Sequence, residues 1–482
     1  MTQALDGVAL QHRPMLLAGE HVEGRESLAV HFPFDGAEVA SVSLADADQL
    51  EVALDSATAA EPGVAAIPPF RRAEVLNAAA ALVASREDAL ARQMTLETGN
   101  AIWETRFEVQ RTVEILAFAA EEARRVTGEI VPIDAVPRGE GRHGYTKRFP
   151  VGTVLGITPF NAPLLLVAHK LGPAFAAGNP CVIRPASKTP LSALSLGEIL
   201  VEAGAPAGAV SVVPCATRLA ETLVRDPRVK MLSFTGSAEV GWRLRQIAAT
   251  PRVTLELGGN GAVIVHEDAN IEYAVERCAF GGFMRAGQAC ISVQRLYVHE
   301  RVFDEFKERF LARIAGLRIG NPLDADTVVG GLIDEAAAEK AMGLIEDAAR
   351  GGAEILCGGT REGTVVALTL LVGVSEEQRV CSEEAFAPIV ALAPYSDVDE
   401  VIERANRSDF GLQAGLFTND LRIVHRAFER LEVGALIVND VNTFRVDQMP
   451  YGGAKQSGHG REGIRWTIRE MTEERLLVVD PR

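Results

Sequence analysis

Hydrophobic positions along this chain follow two periods, and their alternation predicts the fold. Residues 47–61 and 70–126 repeat apolar side chains at helical spacing, as at Val75, Leu76, Leu82 and Val83, whereas residues 145–154 alternate as in a strand. From residue 151 onward, short β-branched runs alternate with helical segments. Strands are predicted at 151–158, 181–184, 210–213, 229–234 and 253–257, with helices at 164–177, 191–203, 216–225 and 238–248. This alternation is typical of a doubly wound parallel sheet that binds a nucleotide.

A second series of elements follows Gly259 and predicts a second α/β domain. Its strands are expected at 262–265, 293–298, 388–393, 415–417 and 435–438, and its helices at 271–286, 301–315 and 334–350. The chain ends in a short apolar strand, Arg475–Asp480, without an evident local partner. We expect this strand to pair with another subunit, alongside the ribbon at 143–150.

Composition and charge narrow the class of protein. A chain of 482 residues is too long to fold around one compact core, so at least two domains are expected. Its hydrophobic residues, 48% of the chain, suffice for a core in each domain. The net charge of -17 argues against nucleic acid and anionic membranes as partners, since both require a positive surface. No apolar run reaches the ~18 residues of a membrane span. Met1–Asp6 lacks the features of a signal peptide, so we expect a cytoplasmic protein.

One cysteine stands apart from the others. The six cysteines, at 181, 215, 278, 290, 357 and 381, form no CxxC pair and lack histidines at zinc spacing, so no metal site is expected. Cys290 follows a glycine turn in Gly287-Gln288-Ala289-Cys290, and Glu256 precedes another in Glu256-Leu257-Gly258-Gly259. A thiol that attacks a carbonyl and a carboxylate that activates water are typical of acyl chemistry.

The signal for a dinucleotide is weak when taken alone. A Gly-x-Gly-x-x-Gly fingerprint is missing, and Phe234-Thr235-Gly236-Ser237 opens the helix at 238 instead. Free N–H groups there suit a pyrophosphate, but without further context the favoured interpretation of Ser237 is a helix N-cap. Arg184 ends a predicted strand, where it either binds a ribose hydroxyl or phosphate or remains a solvated loop residue.

Seven motifs in this order resemble the aldehyde dehydrogenase superfamily, from about residue 15 to the end of the chain. They are Thr158-Pro159-Phe160-Asn161, Lys170-Leu171-Gly172-Pro173-Ala174, Phe234-Thr235-Gly236-Ser237, Glu256-Leu257-Gly258-Gly259, Gly287-Gln288-Ala289-Cys290, Glu384-Ala385-Phe386-Ala387-Pro388, and Pro450-Tyr451-Gly452-Gly453 with Lys455, Ser457, Gly458 and Gly460-Arg461-Glu462. The resemblance implies an α/β fold with three parts. They are a variant Rossmann cofactor domain (1–127 and 151–258), an α/β catalytic domain (259–458), and a β-ribbon arm (128–150 and 474–482) that joins subunits into homodimers or homotetramers.

The resemblance also implies a reaction, the oxidation of an aldehyde to a carboxylic acid with NAD(P)+. Cys290 would form a thiohemiacetal and then a thioester, while the amide of Asn161 and the N–H of Cys290 hold the oxyanion. Glu256 would activate the water that hydrolyses the thioester. Lys170 and Glu462 match positions that relay protons or order this water. The glutamate argues against a CoA-acylating enzyme, which stays open as an alternative.

The same resemblance assigns the cofactor site. Its residues are expected to be Thr158, Pro159, Phe160, Arg184, Ser187, Thr235, Gly236, Ser237, Leu257, Gly258, Glu384 and Phe386. Two positions depart from the family pattern: Arg184 stands where lysine is usual, and Ser187 stands where NAD-preferring members often have glutamate. Without that carboxylate, and with Arg184 and Lys188 adding positive charge, we expect NADP to be tolerated or preferred over NAD.

The resemblance also implies which segments border the substrate tunnel. Four residues on them are expected to bind the substrate: Trp103, Arg106, Arg285 and Arg445. Arginine forks suit a carboxylate, phosphate or sulfonate, which predicts a small polar or anionic aldehyde. Each arginine has an alternative as a structural ion-pair residue, for example with Glu104 or Asp447. The competing prediction is an apolar pocket for aromatic or aliphatic aldehydes, lined by Trp103, Phe107, Phe160, Phe283 and Phe444.

Overall fold

The computed structural model describes residues 11–482. The interpretation of Met1–Asp6 therefore lies outside the described residues. Five short strands come first, β1 (Gln11–Arg13), β2 (Met15–Leu17), β3 (Glu20–Val22), β4 (Glu26–His31) and β5 (Glu38–Leu44). Four helices follow, α1 (Ala47–Ala66), α2 (Pro69–Ser85), α3 (Glu87–Thr98) and α4 (Ile102–Ala123). Within residues 11–482, no helix combines the length and the apolarity that a bilayer crossing requires.

The helical region predicted at 70–126 consists of three helices, α2, α3 and α4. The backbone leaves helical geometry at Arg86, with φ -113° and ψ 18°, and enters the left-handed region at Gly99, with φ 74°. Glycine adopts that region without a Cβ penalty, and it ends α3 there. The alanine-rich composition predicted helix throughout but carried no signal strong enough to place the break at Arg86.

The next elements build the first large sheet. After β6 (Ile130–Val131) and β7 (His143–Pro150), the chain forms β8 (Val154–Ile157), α5 (Pro163–Ala177), β9 (Cys181–Arg184), α6 (Pro190–Glu202), β10 (Val210–Val212), α7 (Thr217–Arg225), β11 (Met231–Thr235), α8 (Ala238–Ile247) and β12 (Val253–Glu256). Five of these strands are parallel, in the order β12-β11-β8-β9-β10. All of their residues are buried, as expected for a sheet covered on both faces. This confirms the α/β, Rossmann-like class.

The second large sheet is formed by strands that follow residue 260, in the part of the chain that runs to the C-terminal strand. Its part of the chain contains β13 (Gly261–Val265), α9 (Ile271–Phe283), β14 (Val293–His299), α10 (Phe303–Ala315), α11 (Glu335–Arg350), β15 (Glu354–Cys357), β16 (Arg361–Glu362), β17 (Val365–Val366), β18 (Thr369–Val372), α12 (Arg379–Ser382), β19 (Ile389–Tyr395), α13 (Val398–Asn406), β20 (Phe410–Gly411), β21 (Gln413–Phe417), α14 (Leu421–Arg430), β22 (Ala435–Val438), β23 (Ala454–Lys455), β24 (Gly458–His459), α15 (Ile464–Glu470) and β25 (Thr472–Val479). The sheet order is β15-β18-β19-β14-β13-β21-β22, parallel except at β15. The strand β24 crosses to the first sheet and pairs with β12. The domain boundary at residue 258 stays a prediction.

The terminal strand has a partner within its own chain, which corrects the expectation that it lacks one. β25 pairs antiparallel with β7, from Thr472 opposite Pro150 to Val479 opposite His143. β6 completes this three-stranded sheet. We call residues 128–150 and 472–479 the arm. The apolar side chains of β25 remain exposed, among them Leu476 at 55% and Leu477 at 47%.

Candidate active site

The carboxyl ends of β8, β11 and β12 open a groove at one edge of the first sheet. The chain runs outward from β8 to β10 on one side and from β11 to β12 on the other, so β8 and β11 flank the switch point where such sheets bind ligands. Two adjoining clefts lie there, an outer one of about 800 Å³ and an inner one of about 650 Å³. They share Pro159, Thr235, Gly236 and Ser237 and therefore form one continuous groove.

The residues predicted to bind the cofactor all line this groove. Those in the outer cleft or shared by both are Thr158, Pro159, Arg184, Ser187, Thr235, Gly236 and Ser237, and those in the inner cleft alone are Phe160, Leu257, Gly258, Glu384 and Phe386. Ser237 makes no side-chain cap on α8, so N–H groups of the first turn are available to a phosphate. A Cβ at Gly258 would lie 2.5 Å from the Glu384 carboxylate, so only glycine lets that carboxylate approach. The groove fits a dinucleotide.

The outer cleft carries positive charge through Arg184. Its guanidinium donates to the Ser187 hydroxyl at 3.1 Å and to the Cys215 carbonyl at 3.2 Å. Lys188 is balanced by Asp334, 3.2 Å away. Arg243, which sequence analysis missed, pairs with Glu221 in the same cleft. Within residues 11–482 Arg184 forms no ion pair, so its charge is the one left for a ligand.

Cys290 lies in the inner cleft, directly after a tight turn that follows the end of α9. Arg285 and Ala286 both adopt left-handed backbone, with φ of 51° and 52°, and Gly287 follows with φ 73°. A Cβ at Gly287 would lie 2.1 Å from the Ala387 carbonyl oxygen. Such backbone costs on the order of 1–3 kcal/mol per non-glycine residue and persists only where the surroundings hold it. The turn leaves Cys290 partly exposed in the cleft, whereas Cys181, Cys215, Cys278 and Cys381 are buried.

Three side chains meet at the bottom of the inner cleft. The Sγ of Cys290 lies 3.2 Å from the hydroxyl of Tyr451, which donates to Oε1 of Glu256 at 3.3 Å. Glu256 and Tyr451 are each 2% exposed. Burial raises the pKa of the Cys290 thiol well above its usual value, and the charge of Glu256 raises it further. Burial, with the nearby charge of Glu462, raises the pKa of Glu256 to about 7.

Lys170 and Glu462 form a second buried pair behind this group. The Lys170 ammonium donates to Glu462 at 3.3 Å, Thr235 at 2.9 Å and Ser233 at 3.1 Å, with no exposure to solvent. Burial opposes ionisation of Glu462, but Lys170, His169 and Arg445 together outweigh it and lower the pKa of that carboxyl. Glu462 therefore carries a negative charge close to Glu256. The pKa of Glu256 is about 7, so this second carboxyl gains and loses a proton near neutral pH.

Asn161 lies beside the turn that bears Cys290. Its Nδ2 donates to the carbonyl oxygen of Gln288 at 2.9 Å, two residues before Cys290. Its own carbonyl accepts from Asn100 and from Arg285, each at 3.1 Å. The loop that bears Asn161 is thus fixed to the turn that bears Cys290. An oxyanion site built from the Asn161 amide and the Cys290 N–H requires such a fixed arrangement.

A buried ion pair joins these two segments to α4. Arg285 lies 3.0 Å from Glu108, whose other oxygen accepts from the N–H groups of Leu164 and Leu165 in the first turn of α5. Glu104 accepts from the backbone N–H of Arg285. Burial raises the pKa of Glu104 to about 7 and raises that of Glu108 as well. We call Glu104, Glu108 and Arg285 the clamp.

The four residues predicted to bind substrate have separate environments. Arg285 belongs to the clamp. Arg106 is exposed and pairs with Asp88 at 3.0 Å. The indole of Trp103 donates to the Val328 carbonyl at 3.0 Å. These contacts favour structural roles for three of the four. Arg445 alone among the four contacts Tyr451, with its guanidinium 3.6 Å from the centre of that ring.

Arg445 is buried among charged groups. It lies 3.1 Å from His169, 3.5 Å from Glu462 and 3.9 Å from Asp447, with 6% of its side chain exposed. Asp447 also pairs with Arg111 on α4 and with His169, 2.5 Å and 3.0 Å away. The Nε of Arg445 has no hydrogen-bond partner within residues 11–482. An unpaired buried donor is costly, and an anionic ligand would satisfy it.

The phenylalanines of the alternative apolar pocket differ in burial and in contacts. Phe283 is 1% exposed and stacks on Phe310 in the core of the second domain. Phe160 packs edge-on against Phe386 in the inner cleft. Phe107 and Phe444 are 47% and 41% exposed. The apolar pocket therefore stays a prediction.

Sequence reasoning missed several residues of the site. Tyr451 enters the sequence analysis only within a motif, and His169, Glu108 and Lys340 do not enter it. Glu104 and Asp447 were weighed only as ion-pair partners. One signal was available, since buried charged residues on the apolar helices α4 and α5 demand partners. Within residues 11–482 no cluster of histidine, cysteine and acidic residues suits a metal ion.

Comparison with known proteins agrees with this geometry. The family model "Aldehyde dehydrogenase family" matches residues 21–477. The 3-sulfolactaldehyde dehydrogenase of Priestia aryabhattai is 43% identical over 96% of this chain and 97% of the relative. The succinate-semialdehyde dehydrogenase [NADP(+)] of Escherichia coli K12 is 37% identical over 96% and 97%.

A solved structure gives the same result. The crystal structure of aldehyde dehydrogenase 21 from Physcomitrella patens, in complex with the reaction product succinate, superposes with a TM-score of 0.96 at 41% identity. It covers 98% of this chain, and this chain covers 99% of it. The chain therefore belongs to the aldehyde dehydrogenase family and is an oxidoreductase that uses NAD(P) to oxidise an aldehyde.

Proposed function

We propose that this enzyme oxidises a short aldehyde bearing a carboxylate or sulfonate, with Cys290 as nucleophile and Glu256 as the base that activates water. The observation that carries the substrate class is the placement of Arg445. Its guanidinium stacks on Tyr451, whose hydroxyl lies 3.2 Å from the Cys290 Sγ, and its Nε has no hydrogen-bond partner within residues 11–482. A small anion next to the nucleophile would complete this arginine's hydrogen bonds.

The relatives support an anionic substrate. One of them is named for 3-sulfolactaldehyde and another for succinate semialdehyde, and the solved relative holds succinate. These compounds combine a short carbon chain with a sulfonate or carboxylate. A buried guanidinium recognises either anion, because both present oxygen atoms in a geometry that accepts two N–H groups.

Each residue of the proposed active site has its own role in the reaction. The Asn161 amide, fixed beside Gln288, donates to the oxygen of the aldehyde as Cys290 attacks it. When bound, the nicotinamide supplies the hydride acceptor. Glu256 then takes a proton from the water that hydrolyses the thioester, which its pKa near 7 permits. Lys170 and Glu462 hold opposite charges behind Glu256 and order the water there.

We propose that the groove holds NADP as readily as NAD. Thr235, Gly236 and Ser237 at the start of α8 would hold the pyrophosphate, and Glu384 would bind the ribose next to the nicotinamide. At the other end, Arg184 and Ser187 leave room and positive charge for a 2′-phosphate. A carboxylate at position 187 would occupy that room and neutralise the charge of Arg184.

A matched pair of substrates tests the proposal. Wild-type enzyme should prefer 3-sulfolactaldehyde over lactaldehyde, and succinate semialdehyde over butanal, in kcat/KM. Arg445→Gln should lower kcat/KM for the anionic member by about 10- to 100-fold, the value of one charged hydrogen bond, and change the neutral member much less. The ratio within a pair does not depend on how much enzyme is folded.

Arg106→Gln is the control, because Arg106 is exposed and pairs only with Asp88 among the described residues. It should leave both ratios unchanged. If the wild type treated both members of each pair alike, and Arg445→Gln lowered both equally, Arg445 would not select the substrate.

We further propose that the arm joins subunits into a homodimer or homotetramer. Its exposed apolar side chains, Leu476, Leu477, Val478 and Val479, support this assignment. We also propose a cytoplasmic location. The cysteines within residues 11–482 are all free, which suits a reducing compartment.

A further inference from the structure

The hydroxyl of Tyr451 lies between the two groups that perform the proposed chemistry. It is 3.2 Å from the Sγ of Cys290 and donates to Oε1 of Glu256 at 3.3 Å. A phenol both donates and accepts a hydrogen bond, so it is able to accept from the thiol while it donates to the carboxylate. The three groups then form one hydrogen-bonded chain that runs from sulfur to carboxylate.

Backbone hydrogen bonds, a stacked guanidinium and burial fix the position of Tyr451. Its backbone N–H donates to the Glu462 carbonyl at 3.0 Å, and the N–H of Glu462 donates back at 2.6 Å. The Arg445 guanidinium covers its ring at 3.6 Å from the centroid. The side chain is 2% exposed, so the position of its hydroxyl is set by packing rather than by solvent. A cation above the ring favours any negative charge that develops on the phenol oxygen during proton transfer.

The nucleophile needs a proton acceptor at this place. Burial and the charge of Glu256 raise the pKa of Cys290, so the resting group is a thiol rather than a thiolate. A thiol that attacks a carbonyl must lose its proton as the carbon–sulfur bond forms. Glu256 is a fitting acceptor, since its pKa of about 7 leaves a substantial fraction ionised near neutral pH.

We propose that Tyr451 is a catalytic residue that relays the proton of Cys290 to Glu256 during attack on the aldehyde. The inference rests on the proposed roles of Cys290 and Glu256. As the sulfur–carbon bond forms, the S–H bond breaks and its proton passes to the phenol oxygen. The phenol proton passes to Oε1 of Glu256, and the carbonyl electron pair moves to the oxyanion beside Asn161. The phenol ends neutral, the carboxyl ends protonated, and the total charge is unchanged.

The variant Tyr451→Phe isolates the hydroxyl. It keeps the ring, and with it the packing against Arg445, and removes only the hydroxyl that lies between sulfur and carboxylate. The direct hydrogen bond between Cys290 and Glu256 stays in place, so the variant separates the relay through Tyr451 from direct transfer. The control is Tyr297→Phe, which removes another buried hydroxyl, one that donates to Glu376 at 2.9 Å in the second domain. Thermal unfolding and NADP binding, followed by fluorescence, establish that each variant is folded.

The measurement is the rate at which iodoacetamide alkylates Cys290, followed across pH for the wild type, both tyrosine variants, Glu256→Gln and the double variant. Alkylation needs neither aldehyde nor cofactor. The wild-type rate should rise with a midpoint near 7, the pKa of Glu256. Tyr451→Phe and Glu256→Gln should each lose this rise and react about 100-fold more slowly above it, as for loss of a general base. The double variant should lose no more than either one, and Tyr297→Phe should match the wild type.

Two results would overturn the relay. If Tyr451→Phe slowed alkylation by a constant factor and kept the midpoint near 7, the hydroxyl would only position the sulfur. If Glu256→Gln reacted faster than the wild type, Glu256 would act on the thiol through its charge alone, because that charge raises the pKa of Cys290. If the wild type oxidised no aldehyde while alkylation followed the expected pattern, the proposed function would fail and the relay would stand.

Discussion

Arg285 and Glu108 form a buried ion pair, 3.0 Å apart, that connects the turn bearing Cys290 to helix α4 and, through the other oxygen of Glu108, to the start of α5 behind Asn161. Their side chains are 8% and 1% exposed. The pair holds the strained backbone at Arg285, where φ is 51°. The clamp thus fixes the distance between Cys290 and Asn161, the proposed nucleophile and oxyanion donor.

Loss of one partner of the clamp should cost both stability and activity. Arg285→Gln leaves Glu108 buried without its cation, and such losses typically amount to about 3–5 kcal/mol. The free energy of unfolding from denaturant titration measures this effect. The kcat should fall as well, since the turn is no longer held.

Arg106→Gln is the matched control for the clamp. It breaks an ion pair whose side chains are 48% and 87% exposed, so its effect on unfolding should stay below about 1 kcal/mol. Because the pKa of Glu108 is raised, the carboxyl of Arg285→Gln can take up a proton, so its loss of stability should shrink as pH falls. A loss for Arg285→Gln as small as that of the control would show that the clamp does not hold the turn.

The rate of thioester hydrolysis should fall as pH drops through about 7. Glu256 acts as a base only when ionised, and burial with the charge of Glu462 raises its pKa to about 7. Below this value, the steady-state kcat should decline about tenfold per pH unit. Glu256→Gln should flatten that decline and lower the plateau by about 10²- to 10⁴-fold.

Glu384→Gln separates this effect from a second titration in the same cleft, because burial raises the pKa of Glu384 to about 7 also. Glu384 lies at the cofactor end, where its carboxylate accepts from the Gly259 N–H at 2.9 Å. Its variant should raise the KM for the cofactor and keep the pH dependence of kcat. A decline near pH 7 that survived in Glu256→Gln would assign the titration to another group.

Strand ends could be predicted from the sequence, whereas contacts across the fold could not. The short apolar runs located β9 and β22 with their observed bounds, and therefore placed Arg184 at the mouth of the groove. The relation of Tyr451 to Cys290 spans 161 positions, and that of Arg285 to Glu108 spans 177. Hydrophobic periodicity reports which face of an element is buried, not which buried polar group another meets. The arginines near the substrate were therefore ambiguous until their partners were known.

The cofactor preference should be set by position 187. Ser187→Glu places a carboxylate where the serine hydroxyl now accepts from Arg184 at 3.1 Å. The carboxylate would bind the guanidinium and repel a 2′-phosphate, so the ratio of kcat/KM for NADP to that for NAD should fall at least about tenfold, or 1.4 kcal/mol.

Ser187→Gln is similar in size to glutamate and uncharged, and it should lower the ratio far less. Initial rates with each cofactor at a saturating aldehyde concentration give both ratios. The prediction fails if glutamine and glutamate change the ratio equally, because the effect would then be steric. A wild-type preference for NAD of about a thousandfold, or 4 kcal/mol, would contradict the assignment of Arg184 to the phosphate.

The arm should control assembly. The strand β25 exposes four consecutive apolar residues, Leu476 to Val479, and successive residues of a strand point to opposite faces. Both faces therefore require a cover, which another subunit would provide. Burial of one leucine contributes about 1.5–3 kcal/mol, so a charge at Leu477 should weaken association at least about tenfold.

Sedimentation velocity over a range of protein concentrations measures this effect. Leu477→Glu should dissociate to smaller species at concentrations where the wild type stays a dimer or tetramer. Its pairing with β7 uses backbone groups and should persist, so NADP binding should be unchanged. Val52→Glu, a control at an exposed valine on α1, should assemble as the wild type does. If Leu477→Glu and the wild type had the same sedimentation coefficient at every concentration, this face of β25 would lie outside the subunit interface.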